Sequence, residues 1–176
     1  MKLLKFIIIA LLFSCSENEP RYAVNHNKIS IKNPSIVKNI ISEQNQKIDN
    51  YLSKNPDNNY INSKRGFWYF YNKKNDSNDK SPEFGDSIIF DYSMADLNNN
   101  IIYDYEAIGE QSYIMEKQQI ITGIREALKI LKKGEIATFI LPSYTAYGMY
   151  GDLNKIPANT AVICTIKVKS INSIKN

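Results

Sequence analysis

Apolar residues recur along this chain with two different periods, and the change of period divides it into elements. From Ser35 the positions Ile36, Ile40, Ile41, Ile48, Tyr51 and Leu52 keep the 3.6-residue spacing that gathers side chains on one stripe of an α-helix. Ser35, directly after Pro34, has the hydroxyl that an N-cap uses, and Asn55-Pro-Asp-Asn-Asn59 breaks the pattern. The spacing predicts a helix over Ser35–Leu52. Its single apolar stripe requires a packing surface: the domain that follows, another copy of the chain, or a partner.

From Ser63 a period of two takes over. Gly66-Phe-Trp-Tyr-Phe-Tyr71 is aromatic-rich and predicts a strand, with Trp68 as a packing residue, and the polar run Asn72 to Lys80 follows as a loop. The second strand, Ser87 to Met94, alternates Ile88, Phe90 and Tyr92 against Ile89, Asp91 and Ser93. Asn98-Asn-Asn100 supplies turn chemistry before Ile101 to Tyr105, so these two strands should pair antiparallel. A short strand over Ser112–Met115 leads to a helical stripe, Ile121, Ile124, Leu128 and Leu131, within Ile120–Leu131. Lys132, Lys133 and Gly134 are residue types favoured where a helix ends. Glu135–Leu141 and Ala161–Ile171 complete a sheet, the latter alternating Val162, Cys164, Ile166 and Val168 against Ile163, Thr165, Lys167 and Lys169. Strands with one short helix in a segment of about 110 residues read as α+β.

Composition changes this picture mainly at the N-terminus. Lys2 and Lys5, the apolar run Phe6 to Phe13 and the small Ser14 have the order of a secretory signal. The run is too short to cross a bilayer core, which takes about 20 helical residues. Leu12-Phe13-Ser14-Cys15 resembles a bacterial lipobox, which implies cleavage before Cys15 and acylation of its thiol. Two or three chains, at about 0.8 kcal/mol per buried CH₂, hold a protein firmly. The expected organisation is a signal peptide at 1–14, a lipidated tether at 15–34, a helix and connector at 35–62 and the main folded module at 63–176. The expected location is the cell envelope, membrane-anchored and periplasm-facing. Ser16 after the cysteine favours the outer membrane under the proteobacterial sorting rule.

Loss of Lys2 and Lys5 lowers the formal charge of +4 by two, and basic residues are scattered among acidic ones, so no nucleic-acid footprint exists. Cys164 is left without an intramolecular partner and sits mid-strand on an apolar alternation, where a thiol packs. The single histidine, His26, falls in the tether, which removes His-dependent triads and multi-histidine metal sites from consideration. No cofactor is expected.

Several short motifs occur together. Gly85-Asp86 precedes Phe90-Asp-Tyr92, Tyr103-Asp104 follows the turn, and Lys117-Gln118 precedes the helix. Ala146-Tyr-Gly148 opens a loop that reaches Ile156-Pro157 nine residues after the glycine. In this combination Ser63 to about Ile174 resembles the FKBP-type peptidyl-prolyl isomerase domain. The resemblance implies a curled antiparallel sheet wrapped over the helix and catalysis of X-Pro rotation. It implies a catalytic set of Tyr92, Asp104 and Tyr147, with the Tyr147 hydroxyl donating to the bound peptide carbonyl. Tyr103, Ile120, Ile121, Ile124, Ile156 and Cys164 would bind substrate, with Ile156 packed over the proline. Ile124 stands where the family often has tryptophan, while Cys164 and Gln111 replace aromatics. These changes imply a wider, less aromatic pocket, ill suited to macrolides such as FK506.

With the lipobox and the N-terminal helix, the chain also resembles the gliding-motility-associated isomerase lipoproteins of Bacteroidetes. The implied partners are proline-containing polypeptides, the membrane through Cys15, and envelope or motility components. The other reading is a non-catalytic module that holds an envelope partner in the same groove or on the helix.

Overall fold

The structure, a computed structural model, describes residues 34–173. The expected signal segment, Cys15, the expected tether through residue 33 with His26, and the last three residues lie outside the described residues, whereas Pro34, expected to end the tether, belongs to α1.

Helix α1 runs Pro34–Lys54. It starts one residue before the expected cap, so Ser35 lies within the first turn and Pro34 takes an early helical position, where its missing N–H costs no hydrogen bond. Next come β1 (Ile61–Asn62), β2 (Trp68–Lys73), β3 (Ser87–Ala95), β4 (Ile101–Tyr103), α2 (Tyr105–Ile108) and β5 (Gln111–Ile114). After α3 (Thr122–Leu128) follow β6 (Ile136–Leu141) and β7 (Val162–Asn172). Every pairing is antiparallel, in the order β1-β2-β6-β7-β3-β4, with β5 also on β3. The connector before Ser63 therefore contributes an edge strand.

Two expectations are revised. The second helix is shorter than Ile120–Leu131: Ile120 and Ile121 precede α3, and Ile121 has an extended ψ of 131°. At the other end, tight turns from Ile130 to Ala127 and from Leu131 to Leu128 replace the last helical turn, and Gly134 reverses the chain at φ +78°. Asp104-Tyr105, expected to extend β4, instead begins α2.

Near the Leu141–Val162 pairing the sheet is buried on both faces, because Ile140 of β6 and Ile163 of β7 are apolar on the face opposite Phe139 and Cys164, whereas Lys167 and Lys169 leave the rest of that face of β7 to solvent. Met94, Phe139, Leu141, Val162, Cys164 and Ile166 face the cluster that includes Ile124, Ala127 and Leu128 of α3. Their neighbours Ala95, Ile140 and Ile163 pack with Ile48 and Tyr51 of α1, and Trp68 joins this second cluster as a packing residue. The N-terminal helix thus packs on the domain that follows. Its fully buried Ile48 is the anchor, whereas Ile36 and Ile41 are 54% and 45% exposed.

Candidate functional site

The site forms where β3, β4 and β7 meet the loop that leaves β6. Register sets the first part: Met94 of β3 lies opposite Cys164 of β7 and Tyr103 of β4, and Tyr92 lies opposite Ile166. The same pleat face presents Tyr92, Met94 and Cys164 to the α3 side. On that side Gly123 lets α3 approach closely. A Cβ there would lie 2.8 Å from a Leu141 methyl and 2.9 Å from the Thr145 carbonyl oxygen. That approach seats Ile124, fully buried, in the cluster, with Ile120 and Ile121 packed at its edge.

The loop after β6 starts with a 3-10 turn at Ser143–Thr145 and returns to β7 through Ala161. The Gly148 N–H donates to the Ser143 carbonyl at 2.7 Å, and the Asn159 N–H donates to the Gly148 carbonyl at 2.9 Å. Gly151 sits at φ +68°, and a Cβ there would fall 2.0 Å from the Ile156 carbonyl oxygen, so the backbone requires glycine. Asp152 closes the loop tip: Oδ1 accepts from the N–H of Asn154 at 2.9 Å and of Ile156 at 2.7 Å. The result turns Ile156 inward, 2% exposed, and leaves Leu153 89% exposed.

Three tyrosines stand together over this apolar floor, and their hydroxyls differ in engagement. Tyr103 donates to Asp152 Oδ2 at 2.5 Å and accepts from Asn154 Nδ2 at 3.1 Å. The Asp152 bond, followed by burial, raises the Tyr103 hydroxyl above its ordinary range. Burial alone would raise the Asp152 carboxyl, but hydrogen bonds from Tyr103 and the Ile156 and Asn154 amides outweigh it and hold it low. Tyr147 donates to the Met94 sulfur at 3.5 Å. The Tyr92 hydroxyl makes no hydrogen bond to a described residue, although its backbone sits in the β3–β7 ladder. Burial raises both hydroxyls. The field of Cys164 adds to the shift at Tyr92, and the fields of Tyr92 and then Cys164 add at Tyr147, so these side chains are near neighbours. Burial also pushes up the Cys164 thiol, which keeps it protonated and unreactive inside β7.

Comparison with known proteins identifies the arrangement. Residues 78–169, just over half of the chain, match the family model for FKBP-type peptidyl-prolyl cis-trans isomerase. The chain belongs to that family. The matched segment contains every expected site residue except the lipidation cysteine, while α1, β1 and β2 precede it. "FK506-binding protein 2A" of Rhizopus delemar is 28% identical over 80 residues, 41% of this chain and 48% of that protein. "Probable FKBP-type peptidyl-prolyl cis-trans isomerase FkpA" of Neisseria meningitidis serogroup B is 28% identical over 97 residues, 55% of this chain and 35% of that protein. The matches thus span less than half the length of these curated relatives. FkpA from Escherichia coli shares the fold at a TM-score of 0.63 and 18% identity, over 80% of this chain and 64% of that one. A peptidyl-prolyl cis-trans isomerase from Pseudomonas syringae does so at 0.63 and 15%, over 78% and 96%.

Within this frame the structure brings together Tyr92, Tyr103, Tyr147, Ile120, Ile121, Ile124, Ile156 and Cys164. Asp104 stands apart. Its side chain is the N-cap of α2, with Oδ1 accepting the Ala107 N–H at 2.7 Å, and it is exposed. Gln111, at the position of a family aromatic, turns to its own chain and donates to the Ile108 carbonyl at 3.1 Å. Two participants escape sequence reasoning. Met94 continues the Ile88, Phe90, Tyr92 alternation by one step, so the period already contained it. Asp152 had a weaker signal, an Asp-x-Asn turn pattern whose side chain bonds backbone two residues on.

Proposed function

We propose that this chain is a peptidyl-prolyl cis-trans isomerase acting at the tyrosine-lined cluster, and the carrying observation is the Tyr147 hydroxyl. A thioether is a weak acceptor, so a hydroxyl directed at Met94 keeps most of its donor strength for a better one. A peptide carbonyl is such an acceptor. A tyrosine hydroxyl is a donor throughout the neutral range, and burial moves the ionisation of Tyr147 further above it.

The chemistry asked of such a site is modest. An X-Pro bond rotates over a barrier of about 18–20 kcal/mol because resonance stiffens the C–N bond. The planar amide is more dipolar than the twisted one, so a poorly solvating surface disfavours the planar state. A donor on the rotating amide's own oxygen would favour the planar form, so the role left for the Tyr147 donor is to anchor a substrate carbonyl and hold the chain while the X-Pro bond twists over the apolar surface. Each 1.4 kcal/mol removed from the barrier is worth about tenfold in rate. Ile120 and Ile121, half-buried, would meet the proline ring above the buried Ile124, Ile156 and Cys164, and Tyr147 would supply the donor. Tyr92 would stand beside it with its hydroxyl available. Tyr103 would form a wall held by Asp152. Asp104 would act by capping α2, which begins directly after it.

The substrate class would be proline-containing polypeptide. The test is relaxation of short peptides that differ in the residue before proline. Acceleration by the purified protein, saturable in peptide, is expected, and no acceleration across the series contradicts the reading.

For the whole chain we propose a lipid-anchored folding helper of the cell envelope, facing the periplasm, with outer membrane favoured and motility components among its clients. The support is the Leu12-Phe13-Ser14-Cys15 motif behind an apolar run. A labelled fatty acid should enter the wild-type chain in cells and fail to enter Cys15→Ser. A second reading, a non-catalytic holding module, is favoured by exposed Ile36 and Ile41 on α1. It predicts saturable peptide binding without turnover.

A further inference from the structure

Helix α1 lies outside the family-matched segment, yet its buried side-chain amide reaches both ends of the loop that carries Tyr147 and Ile156. Gln44 Oε1 accepts from the Ser143 N–H at 2.9 Å and from Ser143 Oγ at 3.2 Å, where the loop begins. Gln44 Nε2 donates to the Asn159 carbonyl at 2.7 Å, where the loop ends. The partners fix which way the amide points, because a backbone N–H can only donate and a carbonyl can only accept. The bonds from Gly148 to Ser143 and from Asn159 to Gly148 complete a closed ring: Gln44, Ser143, Gly148, Asn159 and back to Gln44. Tyr147 adjoins one member of that ring, and Pro157 follows Ile156 two residues before another.

We propose that Gln44 is a positioning residue for the isomerase site, pinning the two roots of the loop so that the Tyr147 hydroxyl and the Ile156 side chain keep their separation. This rests on the isomerase reading above. Glutamine suits the task because one planar group offers an acceptor and a donor on opposite sides, and burial makes each bond costly to lose. A small misplacement of groups that must meet a twisted amide together carries a large kinetic penalty. The domain matched by the family model would therefore depend on a helix that the family model does not include.

The experiment uses the full chain and three variants. Gln44→Met keeps length and removes all three bonds, Gln44→Glu keeps the acceptor, and Ile48→Ala weakens α1 docking without touching the ring. With Gln44→Met, amide exchange at Gly148 and Asn159 should rise at least about tenfold and kcat/KM should fall about tenfold, while the folded fraction stays near one. Ile48→Ala should leave both readouts near wild type at temperatures where it is folded. In Gln44→Glu the ionised carboxylate cannot donate to the Asn159 carbonyl, but the protonated carboxyl can. The kcat/KM of that variant should therefore recover toward wild type as pH falls through the titration of the introduced carboxyl, a recovery that a purely structural role would not produce. Glu43, Lys47 and Asp96 line the same cleft, so the wild-type chain run through the same pH series reports their contribution. Exchange and kcat/KM within about twofold of wild type in Gln44→Met overturns the proposal, as does an equal loss in Ile48→Ala. If the wild-type chain shows no turnover, the isomerase reading fails, and exchange at Gly148 and Asn159 decides whether Gln44 holds the loop.

Discussion

At the scale of the residue, the informative contrast is between hydroxyls and carboxylates that are already committed and those that are not. Asp152 spends both oxygens on the loop tip and on Tyr103, while Tyr147 meets a sulfur atom. Asp104 has one oxygen in a cap. Replacing it by leucine should cost about 0.5–2 kcal/mol through loss of that cap. Asparagine caps equally well, so Asp104→Asn should keep both stability and turnover. A loss of turnover in the folded Asp104→Asn chain, measured beside Asp104→Leu, would show that the charge itself is used. The places of Tyr147 and Ile156 on one loop were legible in sequence because motif spacing encloses them. The commitment of Asp104 was not, since it depends on whether the residues after it turn into a helix or continue a strand, and Tyr-Glu-Ala-Ile permits both.

At the scale of the element, period two located the core strands of the sheet closely: β3 differs from its expected span by one residue and β7 by one at each end. Period 3.6 located the helices but not their ends, because helix ends follow capping and tertiary fit more than pattern. Sequence left open what α1 packs against. A half-apolar stripe states that a surface is needed without naming it, and the answer lay in a local apolar patch, Ala95, Ile140, Ala161 and Ile163, on the outer face of the sheet. The stripe also divides unequally. Ile48→Ala should lower stability by about 2–5 kcal/mol, the range for emptying a packed aliphatic site. Ile36→Ala, at an exposed position, should stay within about 0.5 kcal/mol of wild type. Denaturant unfolding of the two variants checks this, and equal losses would mean that α1 docks along its whole length.

At the scale of the whole molecule, burial of tyrosines ties stability to alkaline pH. Burial, with Tyr60 adding to it, raises Tyr51 from 10.0 to about 12, and burial, with Glu135 adding to it, raises Tyr71 to about 12. Tyr92 and Tyr147 move in the same direction. Between pH 10 and 12 the unfolded chain has released protons that the folded chain retains, so stability is complete below about pH 10 and declines as pH rises. The Tm measured from pH 8 upward should be flat at first and then fall through that window, in step with tyrosinate absorbance. A Tm unchanged to pH 12 would contradict the assigned burial.

Lowering of the proline-rotation barrier by the Tyr147 hydroxyl, held over an apolar floor, is what the site is proposed to do. Its most direct test is the refolding rate of a protein limited by a cis-proline, measured with the wild-type chain and with Tyr147→Phe at matched folded concentrations. Acceleration by wild type that falls about tenfold or more in a Tyr147→Phe chain of unchanged Tm is the expected result. No acceleration by the folded wild-type chain, or equal acceleration by both, would contradict it.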